Sequence, residues 1–205
     1  MTLFQKNMGR LLVASLAVAA LAALPGISRA VEVAGVNYAA QLQAGGQLLQ
    51  LNGAGIRRKA NANLYSAALY LGSPARSADE VLASPGPKQL RVFMLQDLNS
   101  RDMADMLSRG LVTNNPDDDL AAIVPEMLEL GSFIADRGKL LTGDGFQIEW
   151  NPAIGTTITV FQRNESKPIR QVFEKKDLIA PMMKIWLGTK PADPELKAAL
   201  LGKRA

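Results

Sequence analysis

Two side chains in this sequence could act together on an anion: Arg57 and Tyr65. Residues 56–66 read as strand, turn and strand, with Lys59 to Asn63 turning the chain. A turn centred on Asn61 sets 57 and 65 opposite each other on one face, with Cβ atoms about 5 Å apart. A guanidinium fork beside a phenol hydroxyl makes a clamp for a carboxylate, a phenolate or an enolate. Arg58 and Ser66 then point to the opposite face. A register slip of one residue would exchange the two faces. The competing reading makes Arg57 a solvated charge at a sheet edge and Tyr65 a half-buried packing residue.

Elimination narrows the remaining chemistry. The chain has neither Cys nor His, which removes thiol nucleophiles, imidazole bases and most zinc sites together. Acid–base work would fall to Asp, Glu, Lys or Tyr. Gly53-Ala54-Gly55 is not a dinucleotide loop, because a strand rather than a helix N-terminus follows it. Asp117-Asp118-Asp119 lacks the spacing and closing Glu of a calcium loop and reads as acids at a helix start. Trp186 lies in an apolar run and reads as core. Lys175-Lys176 and Lys203-Arg204 read as solvated charges. No catalytic residue, metal site or cofactor is expected.

The elements that must position Arg57 and Tyr65 are strands first. Val36, Tyr38 and Gln41 to Gln43 read as one strand, turned at Gly45-Gly46; Leu48 to Leu51 and Leu64 to Leu71 follow. Ser77 and Glu80 have the spacing of a helix N-cap and its capping-box partner. Pro85-Gly86-Pro87 ends that helix, and Leu90 to Leu95 forms a strand. Ser100 is the expected N-cap of a helix carrying Met103, Met106, Leu107 and Leu111. After a turn at Asn114 to Asp119, Leu120 to Ile134 reads as an amphipathic helix, starting near or kinked at Pro125. Its methionines and those of the preceding helix read as core, with an apolar ligand groove as the alternative. Phe146 to Trp150, Ile158 to Val160 and Ile169 to Phe173 return to strands, with Pro152 to Gly155 as a hairpin loop. Helices over Leu178 to Leu187 and Pro194 to Leu201 close the chain. The order predicts an α+β domain, a large antiparallel sheet with helices on one face.

Residues 1–30 read as a cleaved signal peptide. Lys6 and Arg10 precede the apolar run Leu11 to Leu24, Pro25-Gly26 breaks it, and Ser28-Arg29-Ala30 places small residues for a cut after Ala30. The run is about 14 residues, short of the roughly 20 that span a bilayer. Without cysteine there is no lipidated anchor at the cut, and adjacent twin arginines are missing before the run. Three of the chain's 23 Lys and Arg residues (Lys6, Arg10, Arg29) lie here, with no acid. Residues 31–205 then hold 20 bases against 19 acids, a net charge of +1. A nearly neutral domain offers no basic face to nucleic acid, and no membrane span remains after cleavage. The expected location is the periplasm or the outside of the cell.

Two stretches carry a family resemblance. One is Leu51-Asn52-Gly53-Ala54-Gly55-Ile56-Arg57 with Leu64-Tyr65-Ser66-Ala67-Ala68-Leu69-Tyr70-Leu71. The other is Ile185-Trp186-Leu187-Gly188 with Pro191, Asp193, Leu196-Lys197 and Leu200-Leu201-Gly202. With the element order, these resemble the chalcone isomerase-like domain in its bacterial, exported form, over residues 31–205. The resemblance implies an open-faced β-sandwich with a ligand cleft between sheet and helices. Its members include enzymes that cyclise chalcones, proteins that bind fatty acids, and others without known catalysis. It places the family's strand arginine, at the polar end of the cleft, on Arg57. The enzymes' strand threonine, helix tyrosine and helix asparagine fall on Tyr65, Met103 and Gly110, so three of four polar groups differ.

The leading expectation is a non-catalytic periplasmic protein that binds a small apolar carboxylate or phenolate, fatty-acid-like, at Arg57 and Tyr65. One alternative is an isomerase or intramolecular lyase, with Arg57 stabilising an oxyanion and Tyr65 passing a proton. The other is an assembly or partner-binding protein with a vestigial cleft and an exposed apolar patch.

Overall fold

The computed structural model describes residues 30–174 and 178–203. Residues 1–29 of the expected signal peptide, the Lys175-Lys176 pair and Arg204 lie outside the described residues. The described chain forms a seven-stranded antiparallel sheet with helices packed on one face, an α+β arrangement as expected.

Val31–Val33 (β1) and Val36–Tyr38 (β2) pair as a small hairpin. The main sheet runs in the order Ile169–Phe173 (β11), Gly155–Phe161 (β10), Gly145–Asn151 (β9), Lys88–Met94 (β6), Ala62–Leu71 (β5), Gln47–Lys59 (β4) and Gln41–Ala44 (β3). Residues 36–44 are therefore two strands in two sheets, not the single strand expected. Alternation alone could not see the break between Tyr38 and Gln41.

Between β6 and β9 the chain leaves the sheet. Leu98–Asn99 (β7) pairs with Lys139–Leu140 (β8), and the helices Ser100–Asn114 (α2), Asp117–Ala121 (α3) and Val124–Ala135 (α4) lie between them in sequence. Ala78–Ala83 (α1), Ile179–Leu187 (α5) and Pro194–Leu200 (α6) complete the helical layer.

Local chemistry explains most boundaries. Ser77 caps α1 by accepting from the Glu80 N–H, while the Glu80 carboxylate accepts from the Arg76 N–H at 2.7 Å, one residue before the cap. Pro125 sits in the first turn of α4, where its missing N–H breaks no helical bond. Asp117 to Asp119 are themselves helical, forming the first turn of α3. The cap of α2 is Asn99, not Ser100: Asn99 accepts from the Arg101 N–H. The Ser100 hydroxyl is buried and donates instead to the carbonyls of Ala135 and Gly138.

The sheet has two unlike faces. Tyr65, Ala67, Leu69 and Leu71 of β5, with Leu90, Val92 and Met94 of β6 and Phe146 and Ile148 of β9, pack under the helices. Ala68 and Tyr70 point the other way, into a small cluster with Leu49 and Tyr38 of the N-terminal hairpin. Trp186 and the methionines Met103, Met106, Met182 and Met183 belong to the helical-side core. Large apolar side chains left exposed on the helices are Val112, Val124 and Leu128. No described helix is long and apolar enough to cross a membrane.

Candidate functional site

Arg57 and Tyr65 are paired across β4 and β5, as the sequence predicts. The route to that pairing differs. Lys59 pairs with Ala62 around a tight turn at Ala60-Asn61, with Ala60 at φ 53°. A register shift between Arg57 and Arg58 inserts Leu64 as an extra residue on β5, which brings 57 opposite 65. The irregularity also alters the expectation for Arg58. Its N–H donates to the Asp193 carboxylate and its guanidinium pairs with Glu195, both at the start of α6, on the helical side rather than the far face. Ser66 does face away, against the Tyr38 hydroxyl at 2.8 Å.

The glycines of β4 set what lies above Arg57. A Cβ on Gly53 would come within 2.0 Å of the Ala199 carbonyl oxygen, and one on Gly55 within 2.6 Å of the Ala199 Cβ. The Gly-Ala-Gly segment is a seat for α6. Asn52 fastens the far end of that helix, donating to the Leu200 carbonyl at 2.7 Å. At the near end Asp193 accepts from the N–H groups of Leu196 and Arg58. Past Asp193 the helix no longer covers β4, and Arg57 is half-buried.

Tyr65 stands behind the arginine and is only 1 % exposed. Its hydroxyl accepts from the Trp186 indole N–H at 2.8 Å and from Arg57 at 3.4 Å, and the guanidinium carbon lies 5.4 Å from the ring centroid. Burial pushes the phenol pKa upward, against smaller lowering by Arg57 and Trp186. Tyr65 is therefore a neutral post that orients Arg57 by hydrogen bond and cation–π contact. It does not line the cleft that Arg57 faces.

That cleft holds about 280 Å³ and is walled by Arg57, Lys59, Arg109 and Lys190, with Thr113, Met106 and Gly110 among its other lining residues. Four cations line it and no acid does. None of the four ion-pairs with a carboxylate among the described residues. The acids at its edge are engaged elsewhere: Asp193 caps α6 and Glu195 holds Arg58. The Arg57 Nε is buried and has no hydrogen-bond partner among the described residues. Lys190 is pinned to the end of α2, since the Asn114 side chain both donates to its carbonyl and accepts from its N–H. A second recess of about 320 Å³ shares Lys59, Met106 and Arg109 and continues over Leu64 and Leu98, with Asp102 at its wall.

Sequence reasoning missed Lys59, Arg109 and Lys190. Lys59 was readable only as a turn residue, and Lys190 only as a loop charge. Arg109, three residues after Met106 and next to Gly110, had a usable helical spacing.

The two helix positions onto which the resemblance places the enzymes' polar groups are structurally committed. Met103 is completely buried in the core. A Cβ on Gly110 would meet the Ile185 Cγ2 at 2.7 Å, so the close approach of α2 to α5 excludes an asparagine there without displacement. The space between α2 and α4, at Leu107, Leu111, Met127 and Leu130, amounts to about 10 Å³, no more than one water occupies. No group of three or more His, Cys, Asp or Glu residues able to hold a metal ion occurs among the described residues.

The family model described as chalcone isomerase-like matches residues 30–202. Among solved structures, that of an Arabidopsis thaliana fatty-acid binding protein superposes with a TM-score of 0.59 at 15 % identity, covering 84 % of this chain and 96 % of the plant protein's. At that identity the likeness concerns the fold. No curated protein sequence matches the chain.

Proposed function

Because the chain belongs to the chalcone isomerase-like family, we propose that it is a non-catalytic member that holds a small molecule by an anionic end, a carboxylate or phenolate, in the Arg57 cleft. The observation that carries this reading is a cleft walled by four cations without a carboxylate partner, with Arg57 braced from behind by a neutral tyrosine. A clamp held ready in this way loses little freedom on binding. Buried Met103 and helix-packed Gly110 stand where the cyclising enzymes carry polar groups, which supports binding without turnover.

The Arabidopsis protein is a fatty-acid binding protein, which makes apolar acids the first probes. Here the recess that adjoins the cleft, over Met106, Leu64 and Leu98, is where an apolar tail would lie. Octanoate and a simple phenol, titrated by calorimetry, are expected to bind, and Arg57→Ala to lower affinity by about tenfold or more. Unchanged affinity in Arg57→Ala would remove the reading. Chalcone consumption no faster than in buffer is the expected result for activity.

Export is part of the proposal. The first strand of the domain begins at Val31, one residue beyond the expected cut, which is compatible with a mature N-terminus there. Intact-mass measurement on protein from a periplasmic extract should show a chain starting at Val31. A full-length mass in the cytoplasmic fraction would overturn that part.

A further inference from the structure

We propose that the cleft selects a doubly charged head group, a phosphate monoester, over a monocarboxylate. This deepens the Arg57 reading and rests on it. Four cations converge from three parts of the chain: Arg57 and Lys59 from the end of β4, Arg109 from α2, and Lys190 from the loop before α6. A single carboxylate has one charge and two oxygens, which suffices for one guanidinium fork. It leaves the other cations facing one another without compensation. A phosphoryl group carries about two charges at neutral pH and three acceptor oxygens.

The remaining features of the cleft fit the same group. Thr113 adds a hydroxyl to the lining. Lys190 is held in place through its backbone by Asn114, so its side chain is presented rather than left on a loose loop. The cleft volume admits a head group, and the recess over Leu64, Met106 and Leu98 admits a short apolar substituent. Asp102, on the wall of that recess and not of the cleft, disfavours a second anionic group at the apolar end.

The test compares octyl phosphate with octanoate, which share a tail and differ in head group. Octyl phosphate is expected to bind at least about tenfold more tightly and to lose affinity more steeply with added salt. Arg109→Gln and Lys190→Gln, both at exposed positions, should each weaken octyl phosphate by about tenfold and octanoate by much less. Unchanged denaturation midpoints would show that these variants fold. Equal affinity for the two probes, or an Arg109→Gln variant that binds octyl phosphate as before, overturns the preference. If octanoate still binds and still depends on Arg57, the functional reading survives that failure. If neither probe binds, both fall. Phosphatidylcholine vesicles doped with phosphatidic acid present the same group on a membrane. Binding to octyl phosphate without vesicle binding assigns a soluble phosphoester, while binding to both assigns a lipid head group; each supports the doubly charged ligand.

Discussion

The two halves of β4 show how one strand can serve packing and recognition at once. From Gly53 to Gly55 it carries no side chains on its helical face, and α6 lies so close that an added Cβ would meet the Ala199 carbonyl at Gly53 and the Ala199 side chain at Gly55. From Arg57 to Lys59 the same face carries long cations, and it faces a cleft walled by α2 in place of the α6 packing. The boundary is Asp193, which ends the helix by capping it and ties that end to the Arg58 N–H. Charge is admitted where packing stops. The difference teaches that the cleft is a gap between α2 and the start of α6.

The largest expected effect tests the packed half. Gly53→Val should destabilise the protein by about 3 kcal/mol or more, since its branched side chain would enter the Ala199 carbonyl and neither backbone can yield cheaply. Equilibrium unfolding in urea measures this. A loss below about 1 kcal/mol would mean that α6 is not seated as described.

Alkaline pH probes the packed interior through its tyrosines. All three of the chain's tyrosines, Tyr38, Tyr65 and Tyr70, are buried, and burial raises each phenol pKa above 10.0. Folded-state pKa values above the unfolded value give stability that is complete below about pH 10 and is lost as pH rises through the folded values. Each phenol kept protonated removes about 1.4 kcal/mol per pH unit in that window. Phenolate absorbance should therefore appear together with unfolding, not before it. Titration of one tyrosine in the still-folded protein would show a phenol in contact with water.

The smallest effect belongs to the open half. Lys59→Ala should change stability by no more than about 0.5 kcal/mol, because the side chain is exposed and has no ion-pair partner among the described residues. A large loss there would mean that the cleft cations serve the fold, and the contrast between the halves would fail.

Much of this was legible in the residues themselves. Strand alternation, the Ser77 cap, the Pro125 helix start and the absence of Cys and His are local or compositional facts, and they led directly to an α+β domain without thiol or imidazole chemistry. The Arg57–Tyr65 opposition was also readable, although the structure reaches it by a tighter turn and an extra residue at Leu64 that hairpin symmetry does not anticipate. Family resemblance supplied the cleft arginine, and the matching family model bears out the membership.

Only the tertiary structure decided what surrounds that arginine. Tyr65 became a buried brace because Trp186, more than a hundred residues away, occupies the space beside its hydroxyl. Arg109 and Lys190 became neighbours of Arg57 because Gly110 lets α2 approach α5 and Asn114 pins the following loop. Periodicity reports which face of its own element a residue takes, over a few turns or a few strand residues. It carries no term for the distance between elements. That distance is set by glycines and caps acting across the fold, and it is what gathers four separate cations into one cleft.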